Sequence, residues 1–126
     1  TDEDVLEGHK FEDAIGQVCF PVDIHAPDSS QAIFYQIGGD GSFDIPFRSM
    51  LPNELDNMVV AGRCVSATHV AHGATRNMAP CLVMGEAAGT AAAMASASGI
   101  GVADMDIKKL QKQLLAQNVF LGDSYQ

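Results

Sequence analysis

The sequence predicts an α/β domain, which would read as α+β if the chain stood as an isolated fragment, and three observations predict it. Asn57-Met58-Val59-Val60-Ala61, closed by Gly62, is the short unbroken apolar run of a strand covered on both faces, as in a parallel sheet. A small-residue helix follows: Pro80 suits its first turn, seven alanines lie between Ala87 and Ala97, and Gly99 stops it near Ser98. Ahead of both, alternating apolar and polar residues read as a small antiparallel portion.

In chain order, Thr1 can cap a first turn in which Asp2, Glu3 and Asp4 suit the helix dipole, and Phe11, Ala14 and Ile15 extend an apolar stripe. One or two short helices over residues 2–16 are expected. Val18, Phe20, Val22 and Ile24 then alternate with Cys19, Pro21, Asp23 and His25, a strand whose polar face carries Asp23 and His25. Pro21 cannot donate to a ladder, so that strand lies at an edge or ends there. After the turn-rich Ala26-Pro27-Asp28-Ser29-Ser30, a second strand runs from Ala32 to Ile37. Gly38-Gly39-Asp40-Gly41 reverses it into Phe43 to Phe47, a hairpin. The 57–61 strand, a loop from Arg63 to Asn77 and the alanine helix come next. Finally Asp106 caps a helix with Ile107, Leu110 and Leu114 on one side and Lys108, Lys109 and Lys112 on the other, ending near Asn118.

A length of 126 residues fits one domain, and 47% hydrophobic residues supply its core. Seven basic against sixteen acidic residues give a net charge of −9, which repels nucleic acid and anionic membrane surfaces. Neither is expected as a partner. Cys19, Cys64 and Cys81 contain no CxxC and cannot all pair, which disfavours a disulfide scaffold and points to a reducing, cytoplasmic setting. The acidic opening residues do not read as a leader peptide. Ala79 to Val102 is long enough to span a bilayer, yet its Ala, Gly and Ser content and Glu86 read better as a buried helix. The six methionines follow no helical period and read as core filling.

Chemistry concentrates in the strand, glycine turn and small-residue helix from Val59 to Gly89. The start of such a helix presents free N–H groups and a partial positive charge, suited to phosphate or an electron-rich ring. Gly85 and Gly89 lie on one face and would let another backbone pack closely. A plain turn and a packing notch explain the same glycines.

The strings Ile45-Pro46-Phe47-Arg48-Ser49, Leu51-Pro52, Asn57 through His69, Arg76, and Gly85-Glu86-Ala87-Ala88-Gly89-Thr90-Ala91-Ala92-Ala93 resemble the C-terminal part of FAD-dependent oxidoreductases of the glutathione-reductase-like superfamily. The likeness extends upstream through Asp4-Val5-Leu6 and Phe11-Glu12-Asp13-Ala14-Ile15 to Pro21-Val22-Asp23-Ile24-His25, and downstream to Lys109-Leu110-Gln111, so it covers nearly the whole chain. It implies a partial FAD/NAD(P)-binding fold: the last sheet strand and its helix in residues 57–126, and a substrate-side region in residues 1–56. It also implies a missing partner, the N-terminal GxGxxG half that holds the FAD pyrophosphate, since this sequence contains no such motif. The whole would transfer hydride between a small organic substrate and FAD, and this part alone would be inactive and prone to self-association as a dimer or swapped assembly.

By the same resemblance Gly62 and Arg63 would pass the ribityl chain and Met78, Ala79 and Cys81 would face the flavin ring. Arg63 stands where many relatives carry an acid, and Val70 where they often carry Glu. His69, and less directly His72, would serve as acid or base beside the flavin, with loop packing as the alternative. Arg76 would clamp an anion or else pair with Glu86. Asp23 and His25 form a pair near the substrate or a wet strand face. Cys81 is also a redox-thiol candidate, although it lacks a resolving partner. Cys64, His69, His72 and Cys81 match no standard zinc spacing, so no metal is expected. A self-sufficient α+β interaction module is the competing reading of the chain.

Overall fold

The computed structural model describes residues 1–25 and 32–125 and shows an α+β arrangement. Its elements are α1 (Asp2–Leu6), β1 (Ala14–Val18), β2 (Val22–His25), β3 (Ala32–Tyr35), β4 (Phe43–Pro46), α2 (His69–Thr75), α3 (Met78–Ser98) and α4 (Ile107–Ala116). Short 3-10 turns occupy Phe47–Met50, Gly62–Cys64, Val102–Asp104 and Asp123–Tyr125.

Helix α1 begins as expected, with Thr1 and Asp4 forming a reciprocal capping box, but it stops at Leu6. Residues 14–16, expected as helix, belong to β1 instead. Ala14, Ile15 and Val18 are buried between β4, α3 and α4, and this tertiary burial outweighs local helical patterning. The single strand expected over 18–25 is broken after Val18, and Pro21 precedes the second piece, β2. The turn expected at residues 26–30 lies outside the described residues.

Strand pairing corrects the hairpin expected across Gly38–Gly41. β3 pairs back on β2, with Val22 opposite Tyr35 and His25 opposite Ala32, while β4 pairs with β1, with Val18 opposite Phe43. The glycines form a corner between the two sheets, pinned where Gly38 N–H donates to the Leu6 carbonyl at 2.8 Å. Two two-stranded antiparallel sheets result, and the parallel sheet anticipated for the α/β class is absent among the described residues.

The run Asn57–Ala61 is not in a ladder. Val60 N–H donates to the Met50 carbonyl at 2.8 Å, but no described strand lies alongside, and Asn57 and Met58 are exposed. The buried parallel strand expected here is therefore not formed among the described residues, because a strand needs a neighbour to pair with. The loop expected over 63–77 contains a 3-10 turn and α2. Gly73 weakens the local helix signal by about 1 kcal/mol, and packing of α2 on β2 compensates.

Helix α3 runs as predicted, starting two residues before Pro80 and ending at Gly99, whose φ of 66° puts it in the left-handed C-cap conformation. Pro80, Met84, Ala87, Ala91 and Ala95 make its buried stripe. The helix is long and apolar enough to cross a membrane by length and composition, and 33% of that window is buried within the chain. The buried helix expected here is buried on one face only. α4 also matches: Asp106 accepts from the Lys108 and Lys109 N–H groups, and Leu110 and Leu114 are fully buried, though the helix ends at Ala116. Ile15, Met50, Met84, Leu110, Leu114 and Leu121 form the centre of the core, each side chain contributing about 1.5–3 kcal/mol by burial. Met58 and Met78, expected as core filling, are exposed instead.

Candidate functional site

Helix α2 and its junction with α3 separate two clefts that contain nearly all the residues singled out by the sequence. The first is broad and open, about 400 Å³, lined by Gly62 and Arg63 from the 3-10 turn and by Met78, Cys81 and Leu82 from the start of α3. Four of the five cofactor candidates thus meet in one cleft. The fifth, Ala79, is exposed on the same helical turn without lining the cleft. Leu82 was not anticipated, although it stands four residues after Met78 on the same face.

Local backbone chemistry explains the shape of this cleft. Gly62 has φ of +81°, which favours glycine, and no atom of the described residues beyond its chain neighbours lies within 4 Å of where a Cβ would stand. The Asn77 side chain does not cap α3 but donates from Nδ2 to the Ala74 carbonyl at 3.3 Å. Met78 and Ala79 therefore keep first-turn N–H groups that no described partner accepts. Arg63 Nε donates to the Arg76 carbonyl at 2.9 Å, strapping the 3-10 turn to the α2–α3 junction. The thiol of Cys81 turns inward, 3.7 Å from the Arg76 carbonyl and 3.8 Å from that of Thr75.

The second cleft, about 100 Å³, lies between α2 and β2. His69, His72, Gly73 and Arg76 share a helical face at spacings of three, four and seven, and they oppose Asp23 and His25 on β2. Gly73 permits this approach: an added Cβ would stand 2.9 Å from the Asp23 carbonyl oxygen and 3.1 Å from Val22 Cγ1. Both catalytic candidates, His69 and Arg76, are in this cleft.

Arg76 Nη2 donates to the Asp23 carbonyl at 3.2 Å and lies 3.8 Å from Asp23 Oδ2. The alternative Arg76–Glu86 pair is corrected: Asp23 takes that place because β2 packs on α2, whereas Glu86 is exposed. Asp23 and His25 do approach each other, His25 Nε2 lying 3.5 Å from Asp23 Oδ1, a buried oxygen that accepts no hydrogen bond from the described residues. His72 Nε2 is 3.0 Å from the Arg63 carbonyl, so it carries the hydrogen and donates. Among the described residues, no three His, Cys, Asp or Glu side chains gather as a metal site requires. The three cysteines are free thiols.

Comparison with known proteins adds a family. No curated protein and no solved structure matches the chain. A family model described as FAD dependent oxidoreductase does match, over residues 1–114, and so takes in every residue of both clefts. FAD is the cofactor of that family and redox chemistry its function. The chain belongs to the FAD dependent oxidoreductase family.

Proposed function

We propose that this chain is the C-terminal part of a flavoprotein oxidoreductase, of glutathione-reductase-like type, that transfers hydride between a small organic substrate and FAD. Residues 57–126 belong to its FAD-binding domain and residues 1–56 to its substrate side. The observation that carries the reading is the meeting of Gly62, Arg63, Met78 and Cys81 in one open cleft.

The cleft fits the cofactor. A planar ring needs an exposed apolar wall, and Met78 and Leu82 are 77% and 74% exposed there. Electron-rich ring atoms need donors, and the first-turn amides of Met78 and Ala79 supply them at the positive end of α3. A ribityl chain needs close backbone approach, which the empty space beside Gly62 allows. Bound there, FAD supplies two-electron redox chemistry.

The chain's own residues then divide the remaining work. The amides at the start of α3 favour negative charge on whatever lies against them. Arg63 holds the 3-10 turn against the α2–α3 junction, so the two sides of the cradle keep their spacing. His69 and Arg76 face the smaller cleft, where an imidazole can hold a proton and a guanidinium can orient an anionic group. The pyrophosphate is held by a GxGxxG segment outside these 126 residues, which contain none. The lone strand-like run at 57–61 and the bare outer face of α3 support this partnership.

The test is retention of cofactor. Purified chain mixed with FAD and desalted is expected to lose its flavin absorbance. The same chain combined with the GxGxxG-bearing polypeptide is expected to retain flavin, and Gly62→Val to lower that retention at least tenfold. Stoichiometric FAD held by the chain alone contradicts the shared cofactor site, and a Gly62→Val variant that retains flavin normally places the cradle elsewhere.

A further inference from the structure

Three of the chain's four histidines, His25, His69 and His72, line the α2–β2 cleft together with Arg76. In a protein of net charge −9, that concentrates four cationic or cation-forming side chains around a space of about 100 Å³. We propose that this cleft binds a small oxyanion, a carboxylate or phosphate group, and that its occupancy rises as pH falls. The proposal rests on the reading of this cleft as the substrate's side and names the chemical class of that substrate.

Charge balance decides the pH dependence. At neutral pH the guanidinium of Arg76 is offset by Asp23, whose carbonyl takes Nη2 at 3.2 Å and whose Oδ2 is 3.8 Å away. With the imidazoles neutral, the lining then carries no net charge. Imidazoles ordinarily charge near pH 6.5, so each histidine that does so adds a positive charge that Asp23 alone cannot cancel. The facing groups in the cleft are Asp23 and His25 on β2 and His69, His72 and Arg76 on α2; of the other elements packed on α2, α1 brings Asp2, which accepts from the Thr68 hydroxyl, and the 3-10 turn brings Arg63, whose Nε donates to the Arg76 carbonyl. Among the described residues of β3, Ala32 and Ile33 stand opposite His25 and Ile24 and bring no charge. An anion entering the cleft favours the charged imidazoles, and they favour the anion; the two effects are one linkage.

Size and donor geometry select the ligand. At about 30 Å³ per water, the space holds roughly three waters, enough for phosphate or for a carboxylate on a short carbon chain. Arg76 offers planar paired donors suited to either oxyanion. His72 already donates from Nε2 to the Arg63 carbonyl, so its Nδ1 gains a hydrogen only when the ring is charged. Bound anion and cofactor cradle are thereby linked through two backbone carbonyls, that of Arg63, which accepts from His72, and that of Arg76, which accepts from Arg63 Nε.

The experiment is an NMR titration of the imidazole C–H signals of the chain with inorganic phosphate and, separately, with succinate, at pH 7.5 and 5.5. His9, outside the cleft and 4.5 Å from the Phe11 ring between centroids, is the internal control. The expected result is movement of the His25, His69 and His72 signals with at least one of the two probes, a fixed His9, and binding about tenfold tighter at pH 5.5. Arg76→Gln is expected to weaken binding at least tenfold, with His69→Gln as the milder exposed-site variant, and Asp23→Asn to tighten it at pH 7.5. The stronger probe identifies the oxyanion. Equal movement of His9, no binding by either probe, no dependence on pH, or full affinity in both Arg76→Gln and His69→Gln overturns the proposal. Flavin plays no part in this readout, so the cofactor reading fails or stands separately.

Discussion

The two faces of α3 draw on nearly the same residue types. Toward β1 and α4 the helix presents Met84, Ala87 and Ala91 at zero exposure. On the opposite side it presents Met78, Leu82, Gly85 and Gly89, and nothing among the described residues comes within 4 Å of where either glycine's Cβ would stand. The inner face is a core stripe, and its small residues let β1 and α4 pack close. The outer face is equally apolar and has no neighbour at Gly85 or Gly89 among the described residues, which in a folded protein marks a surface for a partner to cover. Composition alone cannot distinguish the two; partner supply does. The packing notch expected at Gly85 and Gly89 is open in this chain, and the cofactor candidates all fall at the open end.

Substitutions can break that contrast. Met84→Ala is expected to lower unfolding free energy by about 2–5 kcal/mol in urea denaturation, because it leaves a cavity where the helix meets the core. Gly73→Ala should cost about 1–3 kcal/mol, since the added methyl must push α2 away from the Asp23 carbonyl, and the chain should lose the small cleft with it. Leu82→Ala removes a similar amount of apolar side chain from the open face and should change stability by no more than about 0.5 kcal/mol, so a loss comparable to Met84→Ala would mean that the face is covered.

The smallest effect lies far from α3. Asp40 is held down to about 2, first by the Ser42 hydroxyl and then by Lys10, whose Nζ is 3.0 Å from Oδ1. A depressed carboxyl stabilises the fold above its unfolded value of about 3.9, and that contribution disappears as pH falls from there through about 2. A carboxyl-carbon NMR titration should find this midpoint, and Lys10→Met should raise it.

What could be read from the sequence follows the range of the interactions involved. α3 and α4 were legible because Pro80, Gly99 and the Asp106 cap act within one or two turns. The pairing of β1 with β4 was not, because it joins residues nearly thirty positions apart and depends on Ile15 and Ile45 both entering one core. α2 was missed because Gly73, which weakens a helix locally, is the residue that lets it dock. The larger cleft was accessible through the Ala61-Gly62-Arg63 turn and the start of α3, with Leu82 recoverable from helical spacing. The smaller cleft was only half visible: the alternation 22–25 put Asp23 and His25 on one face, but their meeting with His69 and Arg76 needs the α2–β2 contact.

The central claim, that the open end of α3 and the Gly62 turn form one cradle for a flavin ring and its ribityl chain, can be tested by amide NMR during titration with riboflavin, which carries both without the phosphates. The predicted result is progressive, fast-exchange shifts confined to the amides of Gly62, Arg63, Met78, Ala79 and their immediate neighbours. Shifts clustered anywhere else, or none up to the solubility limit of riboflavin, would contradict it.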